Sequence, residues 1–249
     1  MELFDTHAHF EGTDEEIAAL LTRAAEAGVT QLMAVGGSES LNAGVLRTLR
    51  GSRSAPKASP SVLLALGWDR DQAGQDLPEL DYTGVAAVGE IGLDYYYEGA
   101  PRKAQMDLFA RQLELSCKLD LPVVIHTREA DDDTLGLLRE IPARGIIHCF
   151  TGAPKFCGQL LDLGFYVSIS GIVTFRAADN VRESARYIPD DRLLIETDSP
   201  FLAPVPKRGN PNEPSFLVHT ARFLADLRQM PLETFAALTT ANARAVLVK

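Results

Sequence analysis

Two histidines stand two residues apart near the start of the chain, in Asp5-Thr6-His7-Ala8-His9, directly after a short apolar stretch. Alternate side chains of an extended strand share a face, so His7 and His9 can reach the same ion. The chain has only five histidines, and two of them at this spacing are more typical of a metal site than of a pair of ordinary surface or capped residues. The spacing therefore predicts a divalent-cation site at the end of the first strand.

Four more ionisable residues end apolar stretches further along the chain, namely Glu90, His126, His148 and Asp198. A lone histidine in such a place is more often a satisfied core residue, and a buried carboxylate is costly unless it is paired or bound to a metal. Five strand ends of this kind are better explained by one site, because barrel active sites are built at the carboxyl ends of the strands. Four histidines and two shared carboxylates exceed the needs of one closed ion, so we predict two neighbouring cations that activate a bridging water.

Glu196 precedes Asp198 by two residues, so strand alternation places it on the same side, one step deeper. We predict that Glu196 fixes a ligating imidazole from outside the ligand set.

The elements that must position these residues follow from the periodicity. Short apolar runs alternate with helical patterns from end to end, which is typical of βα units around a parallel sheet. Thr13 and Glu16 form a capping-box pattern, and Gly28 marks the expected end of the same helix. We predict eight strands, near Leu3–His7, Thr30–Val35, Val62–Leu66, Ala86–Ile91, Val123–His126, Gly145–His148, Phe165–Ser168 and Leu193–Glu196.

Eight strands in 249 residues predict one α/β domain over residues 1–249, a TIM-type (β/α)8 barrel. Asp69–Tyr82 is short and rich in Gly, Pro and Asp, so the third βα unit is expected to be irregular, with a loop or one short helix. Ser199–Pro214 is long for a βα loop, and loops of that length are usually functional.

Composition indicates a globular chain, with 46% hydrophobic residues and no apolar run near the ~20 residues of a membrane span. The first residues do not resemble a secretory signal, which favours a cytoplasmic location without a membrane partner. The net charge of −10 argues against a surface that coats nucleic acid but leaves room for a local cationic groove. Three cysteines without a C-x-x-C pair indicate buried thiols, and helical spacing predicts that Cys117 packs against the sheet.

Several short segments, in this order, resemble the TatD family of metal-dependent deoxyribonucleases, which belong to the amidohydrolase-like barrels. The resemblance covers nearly the whole chain and is carried by Asp5–His9, Gly89–Tyr96, His126–Ala130, His148–Gly152, Glu196–Pro200, Leu202–Pro204 and Arg208 through Pro214. It implies a TIM-type barrel, two divalent cations, typically Mg²⁺ with Mn²⁺ or Zn²⁺ as alternatives, and phosphodiester hydrolysis, often from the 3′ end of DNA. Single-stranded DNA or 3′ ends would be the substrate, and no obligate protein partner is evident.

By matching position, the resemblance implies one cation held by His7, His9, Glu90 and Asp198 and a second held by Glu90, His126 and His148. Glu90 would bridge the two, and Asp198 would accept the proton of the attacking water. Arg128 and Arg208 are our candidates for binding substrate phosphate, with a solvated or ion-paired arginine as the alternative. Aromatic residues in or next to the matching segments are candidates for stacking on bases, with packing in the core or at the rim as the alternative: Tyr95, Tyr96, Tyr97 and Phe150.

The chain departs from the family pattern after the third strand, where members usually carry Gly-x-His-Pro and this chain reads Gly67-Trp68-Asp69-Arg70. No predicted ligand is lost, but substrate contacts of that loop are in doubt, and Trp68 provides either a stacking surface or a cover for the barrel mouth. The alternative function is hydrolysis of a small ester, lactone, amide or aminoacyl-tRNA bond, because the same cations polarise a carbonyl oxygen. A non-catalytic barrel is disfavoured because every predicted ligand position is filled.

Overall fold

Eight parallel strands form one sheet in the order of the chain in this computed structural model, which describes residues 1–54 and 59–248. The strands are β1 (Leu3–Ala8), β2 (Val29–Gly37), β3 (Ser61–Trp68), β4 (Ala87–Asp94), β5 (Val123–Arg128), β6 (Gly145–Ile147), β7 (Tyr166–Ile169) and β8 (Leu193–Ile195). All eight predicted strands are present, with bounds that differ by one to three residues at some ends.

The segment after β8 returns to β1 and nearly closes the sheet into a barrel. Ala8 and Ser199 form a parallel bridge, and the backbone N–H of Asp198 donates to the carbonyl of His7 at 2.9 Å. His9 N–H donates in turn to the carbonyl of Ser199 at 2.8 Å. The predicted TIM-type (β/α)8 barrel is therefore confirmed.

Helices alternate with the strands around most of the barrel. Thr13 and Glu16 form the predicted capping box before α1, and Gly28 follows its end with φ of 89°. The helices are α1 (Asp14–Glu26), α2 (Glu39–Ser54), α3 (Arg102–Leu119), α4 (Asp131–Glu140), α5 (Pro154–Asp162), α6 (Asp179–Tyr187), α7 (Leu217–Leu227) and α8 (Leu232–Leu247). None of the helices in the described part of the chain is long and apolar enough to cross a membrane.

The third βα unit is irregular, as predicted. Between β3 and β4 the described chain forms a single 3₁₀ turn, Arg70–Gln72, capped by the carboxylate of Asp69, which accepts from Asp71 N–H at 2.9 Å. Trp68, at the end of β3, is buried against Ala73 and Leu108. It is packed rather than presented to the barrel mouth, so it does not provide a stacking surface.

The floor beneath the barrel mouth is apolar. Side chains from seven of the eight strands pack together with the last turns of α8, as a cluster of Phe4, Met33, Val35, Ala65, Ala87, Val124, Ile146, Leu194, Ala243, Val246 and Leu247. This packing leaves the carboxyl ends of the strands as the open face of the barrel.

The prediction for Cys117 is wrong, because this thiol is exposed. The face of α3 that packs on the barrel contains Gln105, Phe109, Gln112 and Ser116, so it is rotated by about one residue from the predicted apolar stripe. Cys157 is buried, and Cys149 is partly buried.

Candidate metal centre

The carboxylate of Glu90 lies between two pairs of imidazoles. Its Oε2 atom is 3.6 Å from His7 Nε2 and 3.5 Å from His9 Nε2. Its Oε1 atom is 3.5 Å from His126 Nδ1 and 3.4 Å from His148 Nε2. One carboxylate therefore offers a different oxygen to each pair, as a bridging ligand between two cations would.

Asp198 joins the first pair. Its Oδ1 atom lies 3.8 Å from the Nε2 atoms of both His7 and His9, which are 3.1 Å from each other. Asp198 has φ of 56°, a left-handed conformation that is uncommon for a residue other than glycine. Its backbone N–H donates to the carbonyl of His7, which fixes Asp198 beside the first pair of histidines.

Three of the four candidate ligand histidines are oriented by a hydrogen bond at the ring nitrogen that faces away from Glu90. His9 Nδ1 lies 2.8 Å from the carbonyl of Val35, and His126 Nε2 lies 2.9 Å from Asp94 Oδ2. His148 Nδ1 lies 3.3 Å from Glu196 Oε1. A ring nitrogen that donates its proton to such an acceptor leaves the lone pair of the other nitrogen directed at the centre.

The donor set fits divalent cations on these grounds. His7, His9 and Asp198 form one buried group whose ligand atoms all lie within 4.8 Å of one another, and His7, Glu90 and His148 form another. Imidazole nitrogens and carboxylate oxygens are ligands that Zn²⁺, Mn²⁺ and related cations accept. Facing lone pairs of His7 and His9 at 3.1 Å lack a stabilising partner unless a proton or a cation lies between them.

Burial and charge set the protonation of the centre. Burial and repulsion by His148 lower the pKa of His7 to about 3, so its imidazole is neutral at pH 7. Burial alone would raise the pKa of Glu90, but the charge of His148 and hydrogen bonds to three histidines hold it well below its ordinary value. Burial raises the pKa of Asp198 to about 7, against the opposing charges of His148 and His9. Burial alone would lower the pKa of His148, but the charges of Glu90 and Glu196 and hydrogen bonds to them hold it well above its ordinary value. A cation that binds His148 must therefore displace a proton.

Asp5 holds the segment that carries Asp198. Its Oδ1 accepts from Thr197 N–H at 2.9 Å and its Oδ2 accepts from Thr197 Oγ1 at 2.6 Å. Asn212 donates from Nδ2 to the carbonyls of Thr197 and Phe201, at 2.8 and 2.6 Å. The long segment after β8 is therefore fastened to β1 at the point where the first pair of histidines begins.

The structure brings the six predicted ligands together at one barrel mouth and places Glu196 beneath them, next to His148. It also adds two residues to which the sequence analysis gave no role, Asp94 and Arg70. Asp94 shares a strand with Glu90 at an even spacing, a signal that strand alternation could have supplied. Arg70 donates from Nη1 to Glu90 Oε1 at 3.3 Å, and nothing in its sequence context predicts that contact.

The two predicted phosphate-binding arginines lie outside the ligand cluster. Arg128 is the last residue of β5, and its Cζ lies 3.8 Å from the ring centroid of Tyr96 and 4.8 Å from that of Tyr97. Arg208 lies in the segment after β8, with Cζ 3.9 Å from the ring centroid of Phe175.

The predicted aromatic residues separate into two groups. Tyr96 and Tyr97 are exposed, at 53% and 58%. Tyr95 donates to Asp133 at 2.6 Å, and Phe150 is buried. Phe201, which the sequence analysis did not single out, is 58% exposed with its ring centroid 6.2 Å from that of His9.

A parallel barrel with histidines and carboxylates converging at the carboxyl ends of its strands defines the class of metal-dependent hydrolases. A family model for TatD related DNases matches residues 4–248. The chain belongs to the TatD family.

Relatives agree with this assignment. The chain is 42% identical over 252 residues to an uncharacterized metal-dependent hydrolase, YcfH, of Escherichia coli (strain K12), covering 97% of this chain and 94% of that protein. It is 34% identical over 236 residues to the 3′-5′ ssDNA/RNA exonuclease TatD of Erwinia billingiae (strain Eb661), covering 90% of each chain. The crystal structure of YJJV, a TatD homolog from Escherichia coli K12, superposes with a TM-score of 0.84 at 27% identity, covering 98% of this chain and 97% of that one.

Proposed function

We propose that this metal-dependent hydrolase cleaves phosphodiester bonds, as a 3′-to-5′ exonuclease on single-stranded DNA. The observation that carries the proposal is the pairing of the metal centre with two arginines at the loops of the same barrel face. In the described part of the chain neither Arg128 nor Arg208 forms an ion pair, although acidic residues outnumber basic ones, 34 to 24. Both guanidinium groups lie on aromatic rings and keep their hydrogen-bond donors free for an anion.

Aromatic side chains beside these arginines supply contacts for bases. Tyr96 and Tyr97 are exposed next to Arg128, and Phe201 is exposed next to His9. Bases of a single strand stack on such faces, whereas bases in an intact duplex are already stacked on each other. The arrangement therefore favours an unpaired strand. The direction of degradation rests on the exonuclease relative alone.

Two divalent cations, held by His7, His9, Glu90 and Asp198 and by Glu90, His126 and His148, would supply Lewis acidity and lower the pKa of a water in the centre. Mg²⁺ is the cation we propose, with Mn²⁺ and Zn²⁺ as alternatives. Asp198 would accept a proton from the attacking water as the water oxygen bonds to phosphorus and the bond from phosphorus to O3′ breaks. The departing O3′ would take up a proton from solvent. Arg128 and Arg208 hold the phosphate oxygens, whose negative charge increases in the transition state.

The deciding experiment is digestion of end-labelled single-stranded DNA by purified protein with added Mg²⁺ or Mn²⁺, with and without a chelator. A 5′ label should yield a ladder that shortens with time, a 3′ label should be released as a mononucleotide at once, and the chelator should abolish both. Arg128→Ala, with Arg186→Ala as a matched control, tests whether phosphate binds at the barrel mouth. Arg186 is exposed in the last turn of α6, which lies at the opposite end of the barrel because the helices run antiparallel to the strands.

Equal cleavage of a covalently closed single-stranded circle and a linear strand would contradict exonuclease action. Turnover of esters or lactones in a parallel panel, without any cleavage of DNA, would replace the nuclease by a carbonyl hydrolase. If Arg186→Ala lowers DNA cleavage as much as Arg128→Ala does, the assignment of phosphate binding to the mouth is wrong.

A further inference from the structure

Arg70 enters the metal centre from the loop that follows β3. It is the first residue of the 3₁₀ turn after β3, and its side chain is only 21% exposed. Its Nε lies 3.5 Å from Asp71 Oδ2, and its Nη1 reaches Glu90 Oε1 at 3.3 Å. A proline at this position would have no donor to offer Glu90.

The atom that Arg70 contacts is the one on which the second cation depends. Glu90 Oε1 also faces His126 Nδ1 at 3.5 Å and His148 Nε2 at 3.4 Å. The closest contacts of Glu90 with the first pair of histidines, by contrast, are made by Oε2, at 3.6 and 3.5 Å. The permanent positive charge of the guanidinium therefore lies on one side of the bridging carboxylate and not on the other.

We propose that Arg70 makes the two cation positions unequal by competing with the second cation for Glu90 Oε1. The inference rests on the two-cation centre proposed above but not on the substrate. A cation bound by His126, His148 and Oε1 must share that oxygen with the guanidinium or displace it, and the two positive charges repel each other at short range in a buried site. The first position, built on His7, His9, Asp198 and Oε2, does not face this competition.

Three acidic groups besides Glu90 surround Arg70. The negative charges of Asp71, Asp69 and Asp94 stabilise its positive charge, and Asp71 also contacts its Nε at 3.5 Å. Arg70 therefore stands in for part of the positive charge of the second cation in the metal-free protein. The chain should fill its first position at low cation concentration and its second position only at higher concentration.

The test is calorimetric titration of metal-free protein with Mn²⁺, with electron paramagnetic resonance to separate isolated from paired Mn²⁺. We expect two steps in the unsubstituted protein and a second step that is tighter by at least about tenfold in Arg70→Gln. The affinity of the first step should change by less than about threefold, since the substitution removes none of its ligands. Arg70→Lys keeps the charge and should remain close to the unsubstituted protein. Arg144→Gln is the matched control, because Arg144 also binds a carboxylate, Asp120, but at the surface.

An Arg70→Gln variant whose second step is unchanged would overturn the proposal, and a weaker second step would show instead that the guanidinium orients Glu90 for the cation. The retained first step reports that the barrel has folded. If Arg70→Gln does not fold, Arg70→Pro, which removes the side-chain donor and suits the first position of a 3₁₀ turn, is judged by the same criteria. Single-step titrations in every variant would contradict the two-cation centre itself. Two steps whose affinities are the same in all residue 70 variants would overturn only the role of Arg70.

Discussion

Replacing Asp94 by asparagine should prevent His126 from binding the second cation, although His126 itself is unchanged. Asp94 Oδ2 accepts from His126 Nε2 at 2.9 Å, while Oδ1 accepts from the backbone N–H groups of Tyr96 and Tyr97 at 2.9 and 3.3 Å. An asparagine has one acceptor oxygen and one amide nitrogen. If the oxygen stays with the two backbone N–H groups, the NH₂ group must face His126.

An NH₂ group that faces Nε2 selects the imidazole tautomer that has its proton on Nδ1. That proton then points at Glu90 and the second position, so the lone pair needed for the cation is gone. Loss of an outer partner of this kind typically weakens metal binding by about 10–100-fold, or about 1.4–2.7 kcal/mol. Since Asp94 is only 2% exposed, we expect the upper part of that range.

The measurement is again titration with Mn²⁺, combined with long-range proton–nitrogen NMR spectra that report the tautomer of each histidine. Asp94→Asn should weaken the second step and convert the His126 signal to the other tautomer, while the first step stays within about threefold. Asp107→Asn is the matched control, because Asp107 is an exposed carboxylate of α3 that pairs with Lys103. A His126 tautomer that stays the same, together with an unchanged second step, would refute the orienting role of Asp94.

Three further outcomes follow from the same geometry. Asp198→Asn should lower kcat on DNA by about 10²–10⁴-fold with a smaller change in KM, because the proton acceptor is lost while an oxygen ligand remains. Full activity of this variant would exclude Asp198 as the general base. Arg128→Ala should retain both cations by metal analysis, raise KM and flatten the salt dependence of DNA binding; loss of the metals would show that Arg128 is structural. Burial raises the pKa of Asp5 from 3.8 to about 7, above its unfolded value, so its contribution to stability is complete below about pH 4 and is lost as pH rises to 7. In metal-free protein, the free energy of unfolding of Asp5→Asn, measured with urea, should therefore rise relative to that of the unsubstituted chain between pH 4 and 8, by at most about 4 kcal/mol. Parallel curves of unfolding free energy against pH would contradict the pKa shift.

The positions of the candidate ligands could be predicted because apolar strand runs ended by His, Glu or Asp are rare and alternation fixes which side chains share a face. The irregular third unit was visible for a similar reason, since Gly, Pro and Asp interrupt any helical period there. The strand bounds were less accurate at their carboxyl ends, where β4 and β5 continue through Asp94 and Arg128.

The error on α3 has a physical cause. Gln105 and Gln112 are buried because their amides pair with backbone groups at the ends of strands: Gln105 with Asp94 N–H and C=O, and Gln112 with Trp68 N–H and C=O. A polar residue that replaces a missing strand partner violates the apolar pattern from which helix faces are predicted. The contact between Arg70 and Glu90 depends on the path of an irregular loop, and no periodicity describes such a path.

Closure of the barrel between β1 and the segment after β8 has a consequence for synthesis of the chain. His7 and His9 emerge from the ribosome before Thr197 and Asp198, which bind to the same strand. The ligands proposed for the second position, Glu90, His126 and His148, lie between them in sequence. A nascent chain can thus hold five of the six candidate ligands, including the whole set proposed for the second position, before Asp198 is made. A cation captured early would bind a barrel that is still open. Metal-depleted translation followed by addition of the cation should therefore give more uniform occupancy than translation at high cation concentration.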